Sequence, residues 1–301
     1  MVNNIIIQFC PSIEYKFCPT RYLNLNKLLK NNEKYNNINN INIIYGINSI
    51  NCKIIENYKN ILIEFEEPNF FIYRDLNKYI EFTKNIELKL TLCPYTSYIF
   101  NNILNKEISK NIFFPTDIKY IQDILGIPNF DDKIFNVQYT GHNVSYETQK
   151  FINISDNIIP NDYLDKYKLL YNTKIVICHN VLFCAPNHIS IYDTFIKYFP
   201  ELKNDNKYIP QLKSRVFESG FSKCIPLVMY EHTKIIENYF IPDIDFIYFF
   251  NLDDLNDKIA ELLKNYDKYK IIAENCYNKC INNYTIEHFI DKYILEQELK
   301  Q

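Results

Sequence analysis

The stretch 211–228, reading QLKSRVFESGFSKCIPLV, constrains this chain more than any other. Two cations, Lys213 and Arg215, precede Phe217 and Glu218 and the small pair Ser219 and Gly220, and the stretch closes on the apolar run 225–228. The pattern predicts a helix whose first turn carries positive charge, running into a buried parallel strand. A helix N-terminus presents unpaired N–H groups at the positive end of its dipole, so cations added there build an anion site. A carboxylate one turn further on, Glu218, accepts hydrogen bonds from a sugar diol. Diphosphate at one end and ribose at the other describe half of a nucleotide-sugar pocket. On spacing alone, a charged surface helix packed on a sheet explains the same residues equally well.

The order of residues around this stretch carries a resemblance. It is similar to the donor-binding helix of retaining, family-4-like GT-B glycosyltransferases, in which K-x-R-x-F-E-A precedes a strand. The text continues in the same order through Lys234, Glu237 and Phe240, an aromatic strand at 246–250 and a helix at 253–265. The resemblance implies an α/β protein of two Rossmann-like domains (GT-B type), both somewhat reduced in size. It also implies transfer of a sugar from a nucleotide-diphosphate sugar to a glycan, protein or small-molecule acceptor. Lys213 and Arg215 would then stabilise the diphosphate leaving group, with His142 beside them as a third catalytic candidate. Glu218 and Ser219 would hold the ribose end, and Gly141, His142 and His179 would line the donor. No cofactor beyond the donor sugar nucleotide and no metal is expected, since the chain has neither D-x-D nor a His/Asp cluster.

Composition bounds the rest. A chain of 301 residues, 47% of them hydrophobic, has the material for two compact domains. A net charge of -3 gives no general attraction to nucleic acid or to an anionic membrane. The abundant Asn, Ile, Lys and Tyr follow AT-rich coding, so the Asn pairs at 31–40 carry little meaning of their own. Nine cysteines occur without a C-x-x-C pair, and Cys276 and Cys280 stand at i, i+4 on a predicted helix. Buried, reduced thiols are expected of them, and with them a cytoplasmic location. The start, MVNNIIIQFC, reads as a strand rather than a signal peptide, and no run reaches the length of a membrane span.

Taken in order, apolar runs predict strands at 4–10, 41–45, 61–65, 88–93 and 113–115, with a helix over 22–31. Glu64, Glu66 and Glu67 stand where one of these strands meets its loop, which is a ligand crevice in doubly wound sheets or equally a solvated acidic loop. Pro94 opens a helix running to about Leu104, with Thr96 or Ser97 as its N-cap. These divisions place a first domain at 1–125 and a Pro/Gly-punctuated linker at 126–133. A second domain follows at 134–285, and a terminal helix at 286–301 crosses back to the first domain in such proteins. The strand over 133–142 ends in Gly141, where glycine admits close approach of a ligand. His142 is either a donor to that ligand or a plain loop histidine. A strand at 151–155, a helix at Tyr163–Tyr171 and a strand at 174–178 ending in His179 and Asn180 follow, then a helix around 192–199.

Three departures from the family pattern stand out. Such enzymes often carry two glutamates eight positions apart; Glu218 matches the second, but the first position is Pro210. The small-Cys-Gly turn after the helix is Ser222, Lys223 and Cys224, without glycine. Only nine residues separate Gly141 from Phe151, too few for an α/β crossover, so the second domain is expected to lack about one unit. A non-catalytic nucleotide-sugar-binding protein or a scaffold on the same fold therefore stays beside the enzyme reading.

Overall fold

A computed structural model describes residues 5–9, 25, 27–31, 33–35, 40–45, 52–64, 76–141, 145–184 and 189–295. The chain divides into two compact units, 1–117 with 286–301, and 118–285. The residues expected as a linker, 126–133, lie inside the second unit, as does the helix before them. The terminal segment belongs to the first unit.

In the first unit, β1 (Ile5–Phe9), β2 (Ile41–Tyr45), β3 (Lys59–Glu64), β4 (Leu88–Thr91) and β5 (Ser109–Asn111) pair in sequence order, every pair parallel. Parallel strands covered on both faces read as continuous apolar runs. Ile41, Ile43, Ile44, Ile61, Leu62 and Ile63 are accordingly buried without alternation. Helices α1 (Leu76–Thr83) and α2 (Pro94–Leu104) supply crossovers. The strand expected at 113–115 is instead β5, just upstream. Phe113 is a core residue packed edge-on to Phe289 of the terminal segment. Cys93, not Thr96 or Ser97, occupies the N-cap position of α2, without a side-chain capping bond, and Pro94 stands in the first turn. Proline suits that position because its missing N–H would have no helical partner. The Ser97 hydroxyl turns inward, 2.6 Å from Thr91 Oγ1. The acidic loop at Glu66 and Glu67 lies outside the described residues.

The second unit opens with α3 (Ile118–Leu125) and carries a four-stranded parallel sheet. Its members are β6 (Phe135–Gln138), β7 (Thr173–Cys178), β10 (Ile225–Met229) and β11 (Ile247–Phe249), in the order β11-β10-β7-β6. The strand expected at 151–155 is a helix. Between β6 and β7 run α4 (Tyr146–Ile154) and α5 (Tyr163–Tyr171), which together complete the crossover. A capping box decides the matter locally: Thr148 N–H donates to Ser145 Oγ at 3.2 Å and Ser145 N–H to Thr148 Oγ1 at 3.0 Å. A two-strand ribbon, β8 (Val181–Phe183) against β9 (Tyr208–Pro210), brackets α6 (Ile189–Tyr198). Beyond it stand α7 (Arg215–Phe221), α8 (Leu252–Lys264) and α9 (Tyr266–Asn283).

Helix α7 lies hard against α9. A Cβ built on Gly220 would fall 2.5 Å from Cys280 Sγ and 2.8 Å from Cys276 Sγ, so the two thiols fill the space a side chain would take. Lys223, with φ +52°, supplies the left-handed residue after α7. The N–H groups of Lys223 and Cys224 then bond back to Gly220 O and Ser219 O, a Schellman closure made without glycine. The lysine head is held by Glu274 at 2.9 Å. Buried Lys133 donates to Ser222 O at 2.6 Å and Leu170 O at 3.1 Å, so one cation serves the carboxyl ends of α7 and α5. Burial lowers its pKa, against the pull of the Cys224 thiol.

Candidate active site at the carboxyl edge of the second sheet

In an open parallel sheet, ligands bind beyond the carboxyl ends of the strands. β6 exits through Tyr139 and Gly141, β7 through His179 and Asn180, and α7 begins at Arg215, bringing three separated stretches to one edge. The Arg215 guanidinium lies over the Tyr139 ring at 4.7 Å, and Nη1 is 3.4 Å from His179 Nε2. The tautomer of His179 follows from its neighbours. Nδ1 faces Val181 O at 3.0 Å and must carry the proton. Nε2 is then an acceptor for the Tyr139 hydroxyl at 2.9 Å and for Arg215.

His179 is buried, and its pKa is held well below the ordinary histidine value, first by burial and then by the Arg215 and Lys213 charges. It is therefore held neutral, with Nε2 turned to Tyr139 and Arg215. Burial raises the Tyr139 pKa, which keeps its hydroxyl protonated and donating. Gly141 has no room for a side chain. A Cβ there would stand 2.0 Å from Arg215 Nη2 and 2.4 Å from the Tyr139 hydroxyl.

Arg215 has no carboxylate partner among the described residues, and its Nε has no hydrogen-bond acceptor. Among the described residues two buried polar groups just past the strand ends also lack a partner, Asn180 Nδ2 after β7 and Thr140 Oγ1 after β6. An unpaired guanidinium held between Tyr139 and His179 at the end of a parallel sheet suits a ligand rich in acceptor oxygens. Lys213 stands beside it. Its N–H donates to Asn180 Oδ1 at 2.9 Å and its ammonium to Gln211 Oε1.

Of the residues singled out in the sequence, Gly141, His179, Lys213 and Arg215 are brought together here. Glu218 and Ser219 turn inward. Glu218 is 1% exposed, with Oε2 2.5 Å from Lys166 Nζ on α5, and Ser219 Oγ bonds Cys224 O at 3.4 Å. His142 lies outside the described residues. Tyr139 and Asn180 were not expected in the site. Tyr139 reads as an ordinary strand residue, and nothing but its place two residues before the only glycine of that strand sets it apart. Arg215 carries a further signal: it is one of three arginines in a chain whose other cations are lysines.

Next to this seat is a cavity of about 550 Å³, lined in part by Phe151, Phe183, Tyr208, Tyr230, Phe250 and Asp253. Phe151 and Phe183 join the two places, since their rings lie 5.8 and 5.3 Å from the His179 ring. Among the described residues no group of three or more His, Cys, Asp or Glu side chains is placed to hold a metal ion. Nor is any helix of those residues long and apolar enough to cross a membrane. Six described cysteines carry free thiols, Cys276 and Cys280 among them and buried as expected, whereas Cys52 is in a disulfide.

A family model described as glycosyl transferase-like matches residues 160–294. Among solved structures, Anabaena Alr3699/HepE in complex with UDP-glucose superposes with a TM-score of 0.53 at 10% identity, covering 99% of this chain and 100% of that one. The same protein in complex with UDP gives 0.50 at 11% identity, over 92% of this chain and 82% of that one. TarM gives 0.48 at 14% identity, over 84% of this chain; the match spans 54% of the TarM chain. No curated protein matches the sequence.

Proposed function

We propose that this chain, which has the fold of the GT-B glycosyltransferases and a glycosyl transferase-like domain over residues 160–294, transfers a sugar from a nucleotide-diphosphate donor. The observation that carries the reading is Arg215, a guanidinium propped by Tyr139 and His179 with no carboxylate to neutralise it. The diphosphate would sit against Arg215 and Lys213. As the bond from the anomeric carbon to the diphosphate oxygen breaks, negative charge grows on that oxygen. Fixed cations there stabilise the transition state more than the ground state. The acceptor hydroxyl oxygen forms the new bond to the anomeric carbon, and its proton passes to the departing diphosphate oxygen. The same two cations supply charge that a metal ion would otherwise supply, so transfer is proposed to persist in EDTA. The HepE complexes with UDP and UDP-glucose support a uridine diphosphate donor as the first to try.

Binding without turnover is the second reading. It is favoured by Pro210 in place of a sugar-side glutamate and by the enclosure of Glu218 against Lys166. Calorimetric titration of UDP and GDP, each with and without a sugar, separates the readings when run beside an assay for released nucleotide. Binding that is lost in Arg215→Met, with nucleotide released on turnover, supports the enzyme. Binding without any release over hours supports the second reading. No binding of any nucleoside diphosphate, or binding indifferent to Arg215→Met, overturns both.

A further inference from the structure

The neutral imidazole of His179 has a single lone pair to offer, and two donors face it. With the Nδ1 proton committed to Val181 O at 3.0 Å, Nε2 accepts one good hydrogen bond. The Tyr139 hydroxyl stands 2.9 Å from it and Arg215 Nη1 3.4 Å, so distance gives the lone pair to the tyrosine. A contact of 3.4 Å is at the edge of hydrogen-bonding range, and the Arg215 Nε has no acceptor among the described residues. What keeps the guanidinium in place is then the face of the Tyr139 ring, 4.7 Å from its central carbon.

That ring is itself held. Phe151 packs on it at 5.5 Å and the His179 ring lies stacked alongside at 5.9 Å. The Gly141 backbone closes over the phenol end, where a Cβ would fall 2.4 Å from the hydroxyl and 2.5 Å from Cζ. β6 and β7 are paired strands, so the tyrosine and the histidine leave the sheet side by side. The arrangement separates two tasks that a carboxylate partner would combine. A carboxylate would orient the guanidinium and also neutralise it, and an incoming anion would have to displace it. Here an aromatic face orients the cation without taking up its N–H groups, and a hydroxyl occupies the acceptor that would otherwise take one.

We infer that Tyr139 is a positioning residue of the anion seat: its ring holds the Arg215 guanidinium, and its hydroxyl fills the lone pair of His179 Nε2, so that the arginine's donors stay open to a ligand. Only the identity of that ligand rests on the diphosphate reading above; the order of hydrogen bonds at His179 stands apart from it.

The test uses the full chain with isotope-labelled histidine, the His179 signals being assigned by their loss in His179→Asn, and the variants Tyr139→Phe and Tyr139→Leu. Without ligand, the Nε2 nitrogen resonance is expected to move in Tyr139→Phe and to stay near its wild-type position in Arg215→Met. The reverse order would show that the arginine holds the lone pair and would overturn the inference. With UDP or inorganic pyrophosphate as the probe, Tyr139→Phe is expected to bind about tenfold more weakly than wild type, because Arg215 then turns to Nε2 and must be drawn off it. Tyr139→Leu, which lacks the ring face as well, is expected to lose about tenfold more. Adding the probe should shift the Nε2 signal in Tyr139→Phe and leave it nearly still in wild type. A merely structural tyrosine would lower the urea midpoint and the affinity together, without that ligand-dependent shift, and would overturn the inference, as would wild-type affinity in Tyr139→Phe. Failure of the diphosphate reading looks different. Neither probe would then bind wild type, while the ligand-free spectra still decide which donor holds Nε2.

Discussion

Glu218 Oε2 and Lys166 Nζ lie 2.5 Å apart in the interior of the second unit, with the carboxylate side chain 1% exposed and the lysine side chain 11% exposed. A carboxylate that reads in the sequence as a ribose ligand is thus the anionic half of a buried pair joining α7 to α5. Removing one member strands the other charge in a medium that solvates it poorly, which costs about 3–5 kcal/mol. Glu218→Ala and Lys166→Met are each expected to lose stability of that order in urea unfolding. The apolar double variant Glu218→Leu/Lys166→Met is expected to recover most of it, because a packed apolar pair removes both desolvated charges. Equal losses in the double and single variants would show that the pair is more than a charge match.

Gly141 offers the cleanest local perturbation of the anion seat. A methyl group there would collide with Arg215 Nη2 and the Tyr139 hydroxyl, and the flexible guanidinium is the group able to move. Overpacking of this kind costs about 1–3 kcal/mol. Because the guanidinium can swing aside, the stability cost should fall at the low end of that range, whereas Arg215 is the proposed diphosphate partner, so Gly141→Ala is expected to weaken nucleotide-diphosphate binding at least about tenfold. A large loss of stability with affinity intact would place the collision elsewhere.

His179 makes stability depend on pH. Its folded pKa lies well below the ordinary value of 6.5, so the unfolded chain takes up a proton that the folded protein refuses. Above about pH 6.5 both states are neutral and this contribution is flat. As pH falls below that value the unfolded state binds more protons and stability drops, by at most about 1.4 kcal/mol per pH unit for one group. Between pH 7 and pH 5.5 the protein is expected to lose about 1 kcal/mol more than a His179→Asn variant in matched urea titrations. Parallel slopes for the two proteins would remove His179 as the source.

Much of the fold was legible because parallel, two-sided burial writes itself as Ile-rich runs. β2 at Ile41–Tyr45 and helix Tyr163–Tyr171 fall where the residues predict them. The segment 151–155 did not, since Phe-Ile-Asn-Ile-Ser alternates as a strand does. The groups that make it helical, Ser145 and Thr148, stand one turn upstream. The site was half legible for a related reason. Arg215, Lys213 and Gly141 are marked by residue type, because a cation or a missing side chain means something at a strand end. The inward turn of Glu218 depends on Lys166, a residue of another helix whose approach no local pattern encodes. Tyr139 acts through a contact across two strands, and a tyrosine in a tyrosine-rich chain carries no such mark.

The packing of α7 on α9 makes a last prediction about the residue that follows Glu218 and Ser219. A methyl group on Gly220 would stand 2.5 Å from Cys280 Sγ and 2.8 Å from Cys276 Sγ, with Cys276 O at 3.2 Å. All three residues are buried, so the helices must separate or the thiols must turn. Gly220→Ala is expected to cost about 1–3 kcal/mol despite the better helix propensity of alanine, which alone would add about 1 kcal/mol. Because the nearest obstacle is a sulfur atom, Cys280→Ala should make room for the new methyl. The pair Gly220→Ala/Cys280→Ala is then expected to be more stable than Gly220→Ala alone, a coupling read from a double-mutant cycle in urea. A cycle with no coupling would mean that the Cys276 backbone, not the Cys280 thiol, sets the limit. The same experiment bears on the site, since α7 begins at Arg215. A variant that pushes α7 away from α9 should weaken nucleotide binding in step with its loss of stability, and the relieved double variant should regain both.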